Sequence, residues 1–240
     1  MVRPLTLIFM ETKQKIQKPA EFAEQKIVDN ILSGVWKKGD NLPPERKLVE
    51  ILGVTRQTVR ETLKHLAAEG WITIQHGKPT KINDYIEDGS LATLKTLAKF
   101  PEFTPVKLIQ DWLEFRMYIL PKLAQKAVDR DLLRIKDFLK NMPSEKSKAN
   151  ELAKYDFELQ LLIIKISGNA IVKMIYNDLQ KSYLLYTSRY FDVKSNRIDS
   201  TKYYKKLLDA IENDTSKVKS VVQKAMRKSI KNYLKMTSID

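Results

Sequence analysis

In the first third of the chain the apolar positions recur at helical spacing. Phe22, Ala23, Ile27, Ile31 and Leu32 mark one face of a helix predicted over Ala20 to Val35. Gly39 to Pro44 breaks that pattern, and Pro43 and Pro44 suit a new helix start, where a missing backbone N–H costs nothing. A short helix over Arg46 to Leu52 turns Leu48 and either Ile51 or Leu52 inward, and Gly53 supplies the turn. Thr55 can cap the next helix by accepting an orphan backbone N–H. There Val59, Leu63 and Leu66 form an apolar stripe, while Arg56, Arg60 and Lys64 form a basic one. After Gly70 the period falls to two: Trp71, Thr73 and Gln75 alternate with Ile72, Ile74 and His76. Gly77-Lys78-Pro79 makes a turn, and Thr80 to Ile82 returns as a second strand. Helix, tight turn, helix and hairpin, in that order, predict a winged helix-turn-helix of three helices and a two-stranded wing.

From Tyr85 onward the pattern is helical. Tyr85 to Phe100, interrupted at Gly89-Ser90, reads as a linking helix. Further segments follow at Pro105 to Val128, Asp131 to Asn141, Lys146 to Ser167, Ala170 to Phe191, Ser200 to Asn213 and Thr215 to Met236. Their breaks carry turn residues, at Pro143-Ser144, Ser167-Gly168-Asn169 and Asn213-Asp214-Thr215. The expected fold is therefore mainly α. An N-terminal arm (1–19) precedes the winged domain (20–84), a linker helix (85–104) and an all-α bundle (105–240) able to hold a ligand between facing helices. No internal repeat or low-complexity tract is visible.

Charge narrows the choice of partner. A formal net charge of +14 over 240 residues points to a polyanion, nucleic acid before membrane. The surplus is uneven. Glu21 to Ile82 holds ten basic against eight acidic residues, and much of the excess lies beyond, for example at Lys217, Lys219, Lys224, Arg227, Lys228 and Lys231. Most of these belong on solvated helix faces, with a few available to a phosphate-bearing ligand. Cysteine is absent, which excludes disulfides, thiolate metal sites and cysteine catalysis. No apolar run approaches the roughly 20 residues of a membrane span. The short PLTLIFM run after Arg3 reads as a loosely docked arm rather than a leader peptide, so a cytoplasmic protein is expected.

The chemistry follows the same division. Gln57 and Thr58, in the first turn of the basic helix, stand where a recognition helix meets base edges. An arginine fork matches guanine O6 and N7 together, and glutamine can match adenine. His76, Gly77 and Lys78 make a slim, positive tip suited to the minor groove or to phosphates. His65 reads as an ordinary helix-face residue. No GxSxG, phosphate loop, cysteine or bundle histidine offers a catalytic centre, so an enzyme is not expected.

The stretch GVTRQTVRETLKHLAAEGWITIQHGKPTKIN resembles the winged-helix domain of the GntR superfamily of bacterial repressors, above all its fatty-acid-responsive FadR subgroup. YDFELQLLIIKISGNAIVKMIYNDLQKSYLLYTSRYF (Tyr155 to Phe191) is similar to the matching part of that subgroup's sensor domain. The resemblance implies DNA contacts from Arg46, Thr55, Arg56, Gln57, Thr58, Arg60, His76 and Gly77, with Lys78 beside them. Gln57 replaces an expected threonine, which leaves the base preference open at one position. Many relatives with this kind of sensor hold a divalent metal through one aspartate and three histidines. Asp156 stands at the aspartate's place, yet both histidines of this chain, His65 and His76, lie in the head, so no metal and no cofactor are expected. The resemblance implies long-chain acyl-CoA as effector, at Arg116, Tyr183, Tyr190, Ser229 and Tyr233, the last replacing a tryptophan. Met226 replaces a family glycine on the same helix. It further implies a homodimer that binds palindromic double-stranded DNA and is released by the thioester. The alternative is the same architecture answering to an organic acid or a shorter thioester.

Overall fold

The structure is a computed structural model and describes residues 18–100 and 103–237. The expected arm therefore lies outside the described residues as far as position 17. The chain divides between Gly89 and Ser90 into two compact units.

In the first unit, α1 (Pro19–Leu32), α2 (Glu45–Leu52) and α3 (Arg56–Glu69) enclose a small core. Ala23, Ile27, Val28 and Ile31 of α1 meet Leu48 and Leu52 of α2 and Val59, Leu63 and Leu66 of α3, all buried. One expectation shifts: Phe22 is half-exposed, because the buried stripe of α1 runs through Val28 instead, while of the two alternatives on α2 Leu52 is buried and Ile51 points outward. Gly53 closes α2 at φ 64°, a left-handed conformation open to glycine at little cost. Thr55 caps α3, its hydroxyl accepting the Thr58 N–H at 3.1 Å.

The wing is shorter than the alternation predicted. β1 (Ile72–Thr73) and β2 (Lys81–Ile82) pair antiparallel, with Ile72 opposite Ile82. Ile74 is exposed and has no core to cover, so the ladder ends before it. On its other edge β2 bridges to Asn41, a pairing the sequence did not announce. Trp71, fully buried, anchors the hairpin and donates its indole N–H to Glu69 at 3.1 Å.

The linking helix is corrected. Residues 85–88 form turns that belong to the first unit, where Tyr85 packs on Trp71 with ring centroids 5.2 Å apart. Only α4 (Leu91–Leu97) is helical, started by a capping box between Ser90 and Thr93.

The second unit is an all-α bundle of α4, α5 (Val106–Lys140), α6 (Ala149–Ser167), α7 (Ala170–Asp178), α8 (Gln180–Asp192), α9 (Lys194–Asn213) and α10 (Val218–Thr237). The predicted break near Asp131 survives as a kink inside α5, where that residue leaves helical geometry at φ −154°, ψ 72°. Its carboxylate then accepts the Arg134 N–H at 3.2 Å and restarts the helix. The segment predicted as one helix over Ala170 to Phe191 divides at Leu179, and α9 begins six residues before Ser200. A single 3-10 turn, Thr215–Lys217, leads into α10. Apolar faces of α5, α6, α9 and α10 meet around Leu120, Ala127, Phe157, Leu159, Tyr204, Leu207 and Val222.

Candidate DNA-reading surface and effector cavity

The predicted DNA-contact residues fall into three places. Arg46 lies in the first turn of α2 with 95% of its side chain exposed, 3.8 Å from Glu50. Thr55, Arg56, Gln57, Thr58 and Arg60 gather at the start of α3, and all but Thr58 are exposed. Arg56 and Arg60 both donate from Nε to Oε2 of Glu45, at 3.4 and 2.9 Å, while Gln57 donates to Glu61 at 3.2 Å. The hydrogen bond from Arg60, and then that from Arg56, holds the Glu45 carboxyl below its ordinary range. His76, Gly77 and Lys78 form the exposed hairpin tip; Gly77 takes φ 71° and the Lys78 N–H closes the turn onto Gln75. His65 has more neighbours than expected: Nδ1 lies 3.0 Å from Glu24 and Nε2 3.7 Å from Glu69, which ties α1 to α3.

In the second unit one cavity of about 700 Å³ runs between α4, α5, α8, α9 and α10. That size suits a small-molecule ligand. All five predicted effector residues, Arg116, Tyr183, Tyr190, Ser229 and Tyr233, line it. Leu108, Trp112, Phe115, Leu179 and Val221 supply apolar wall.

A buried polar network backs the cavity. Asp156 accepts from Tyr183 at 2.5 Å, from Gln160 at 2.7 Å and from Tyr204 at 2.9 Å, and Tyr176 donates to Gln160 at 3.0 Å. Arg116, 6% exposed, lies 3.8 Å from Asp156, 5.2 Å above the Tyr183 ring and 3.6 Å from the Met226 sulfur. Its Nε has no hydrogen-bond partner. Burial works against the charge of Arg116, but Tyr183, Tyr176 and Asp156 outweigh it and hold the guanidinium charged. Burial raises the phenols of Tyr183, Tyr176 and Tyr204 well above the ordinary tyrosine value, and pushes Tyr190 up to about 12 against a lowering hydrogen bond from Asn232. The Ser229 hydroxyl donates into its own helix, to the Met226 carbonyl at 2.8 Å. Among the described residues no group of three or more His, Cys, Asp or Glu side chains could hold a metal ion.

Sequence reasoning named Lys224 and Lys228 among the cations of which a few could meet a phosphate-bearing ligand, but it missed Lys202 and Lys206. Lys202 and Lys206 of α9 and Lys224 and Lys228 of α10 line the cavity while remaining exposed, so they edge the apolar space with positive charge. Lys228 also lies 3.4 Å from Asp199. The available signal was the i, i+4 spacing within each pair. Gln160 was missed as well, since its role depends on α6, α7 and α8 meeting. Among the described residues no helix is long and apolar enough to cross a membrane.

Comparison with known proteins adds a separate line of observation. Residues 19–82 match the family described as bacterial regulatory proteins, gntR family, and residues 83–239 match the FadR C-terminal domain. The chain is 36% identical over 193 residues to the fatty acid metabolism regulator protein of Pectobacterium atrosepticum, covering 80% of this chain and 81% of that one. It is 34% identical over 216 residues to the protein of the same name from Proteus mirabilis, covering 90% of each. Among solved structures, Lar, which controls the expression of the Listeria monocytogenes agr system, aligns with a TM-score of 0.60 at 16% identity, over 92% of this chain and 99% of its own. That last likeness concerns the fold alone.

Proposed function

The chain belongs to the GntR family of transcription regulators, with a FadR-type C-terminal domain, and from that premise we propose that it governs fatty acid metabolism by releasing DNA when long-chain acyl-CoA binds. In this reading a cytoplasmic homodimer sets two α3 helices into successive major grooves of a palindrome, with the wing tips on flanking DNA. Arg56 and Arg60 read guanine edges, Gln57 and Thr58 contact neighbouring bases, and Arg46, Thr55, His76, Gly77 and Lys78 add base or phosphate contacts.

The observation that carries the sensor half is the union of an apolar cavity with a cationic rim. The interior suits a hydrocarbon chain, and Lys202, Lys206, Lys224 and Lys228 suit the phosphates of a nucleotide thioester. Tyr190, Ser229 and Tyr233 lie on the same walls. Release is linkage: a ligand that prefers the conformation in which the two heads miss the half-site spacing weakens DNA binding by that preference.

One observation favours a second reading. Met226 is buried against Arg116 and fills space that a smaller residue would leave to a ligand, which favours a shorter thioester or an organic acid. Titration with palmitoyl-CoA, octanoyl-CoA, palmitate and CoA, followed by the emission of Trp112 on the cavity wall, separates the two. The main reading predicts saturable quenching by palmitoyl-CoA and none by palmitate or CoA; preference for octanoyl-CoA would transfer the site to the shorter ligand.

A further inference from the structure

We propose that Glu45 is a positioning residue that sets the sequence selectivity of the head by holding the forks of Arg56 and Arg60 in place before DNA arrives. The inference rests on the reading of α3 as the DNA-reading helix. Glu45 opens α2, and a single carboxylate oxygen, Oε2, accepts the Nε–H of both arginines. Arg56 and Arg60 sit one turn apart, so one acceptor from the neighbouring helix serves both. With each Nε engaged, the terminal Nη groups become the end offered to a base edge. The Glu45 side chain is one-third exposed, and the two arginines are 70% and 49% exposed. Ion pairs that open to solvent contribute little to folding stability, so stability is a poor reason for two arginines to share one acceptor. Ordering is a better one: an arginine loses substantial rotamer freedom when it docks, and a fork held beforehand loses less.

A carboxylate at this place also repels the DNA backbone. Glu45 therefore lowers affinity for any duplex through its charge and raises affinity for the right one through geometry. These effects have opposite signs, which separates selectivity from a merely structural role at the start of α2.

The test uses the full chain. Wild type selects its preferred duplex from a random-sequence library. Anisotropy at fixed salt then compares wild type, Glu45→Gln, Glu45→Ala and the charge-matched control Glu21→Gln on that duplex and on poly(dI-dC). The expected result for both Glu45 variants is tighter binding to poly(dI-dC), weaker binding to the selected duplex, and a specificity ratio reduced about tenfold or more, the scale of one bidentate base contact. Libraries selected by Glu45→Gln should lose information at guanine positions. The Glu21→Gln control should leave the ratio unchanged. Equal changes on both duplexes, or an unchanged ratio, would overturn the proposal while leaving the DNA reading intact. Failure of wild type to select any sequence would overturn both.

Discussion

At the scale of single residues, the buried pair of Arg116 and Asp156 has the most at stake. Each is nearly sealed from solvent, and Asp156 also collects donors from Tyr183, Gln160 and Tyr204. Arg116→Ala removes the cation and strands the carboxyl, so unfolding in urea should show a loss of about 3–5 kcal/mol. The variant, assayed below its unfolding midpoint, should keep DNA affinity and lose most of its response to acyl-CoA; full release by ligand would remove Arg116 from the sensor. In the head, Arg56→Ala and Arg60→Ala should each weaken binding to the selected duplex by about 1–3 kcal/mol in anisotropy titrations. Arg56 and Arg60 were legible in the sequence because a basic stripe followed a glycine turn. Gln160 and the α9 rim lysines, Lys202 and Lys206, were not. Their meaning depends on which helix faces meet, and the local pattern of a lone glutamine in an apolar helix or of lysines four apart is common in any soluble helix.

At the scale of elements, turn chemistry marked most boundaries, and silent boundaries had tertiary causes. Leu179 parts α7 from α8 without glycine or proline nearby. The early start of α9 is fixed by contacts on both sides: Asn196 donates to the Tyr190 carbonyl and Arg197 to those of Phe191 and Asp192, which satisfies the end of α8, while Arg197 also reaches the distant Glu145 carbonyl at 3.1 Å. Two glycines do more than stop a helix. A Cβ on Gly70, at φ 92°, would lie 2.5 Å from the Asp88 carbonyl oxygen, and one on Gly168 would lie 2.4 Å from the Arg130 guanidinium, which binds the Ser167 carbonyl at 2.6 Å. The first neighbour is backbone and cannot swing aside. Gly70→Ala should therefore cost at least about 2 kcal/mol in thermal or urea unfolding of the head, from strain and clash together. Stability equal to wild type would contradict that packing.

At the scale of the whole molecule, the buried phenols make a prediction about pH. Tyr176, Tyr183, Tyr203 and Tyr204 are held protonated by burial well above the ordinary value of 10.0, and Tyr190 up to about 12. The unfolded chain gives up these protons near pH 10 and the folded chain later, so the unfolded state binds fewer protons in that window. Stability present below pH 10 should thus decline as the pH rises through 10 toward the folded values, and urea unfolding between about pH 9 and 11 would register it. A flat profile would mean that these phenols reach water. The central claim joins the two units: a head that reads DNA answers to a ligand in the bundle. It is tested most directly by anisotropy of the full chain on its selected palindrome at fixed salt, with palmitoyl-CoA, palmitate or CoA added. The account predicts tight binding that palmitoyl-CoA abolishes and that palmitate and CoA leave unchanged. Tight binding indifferent to the thioester would contradict it.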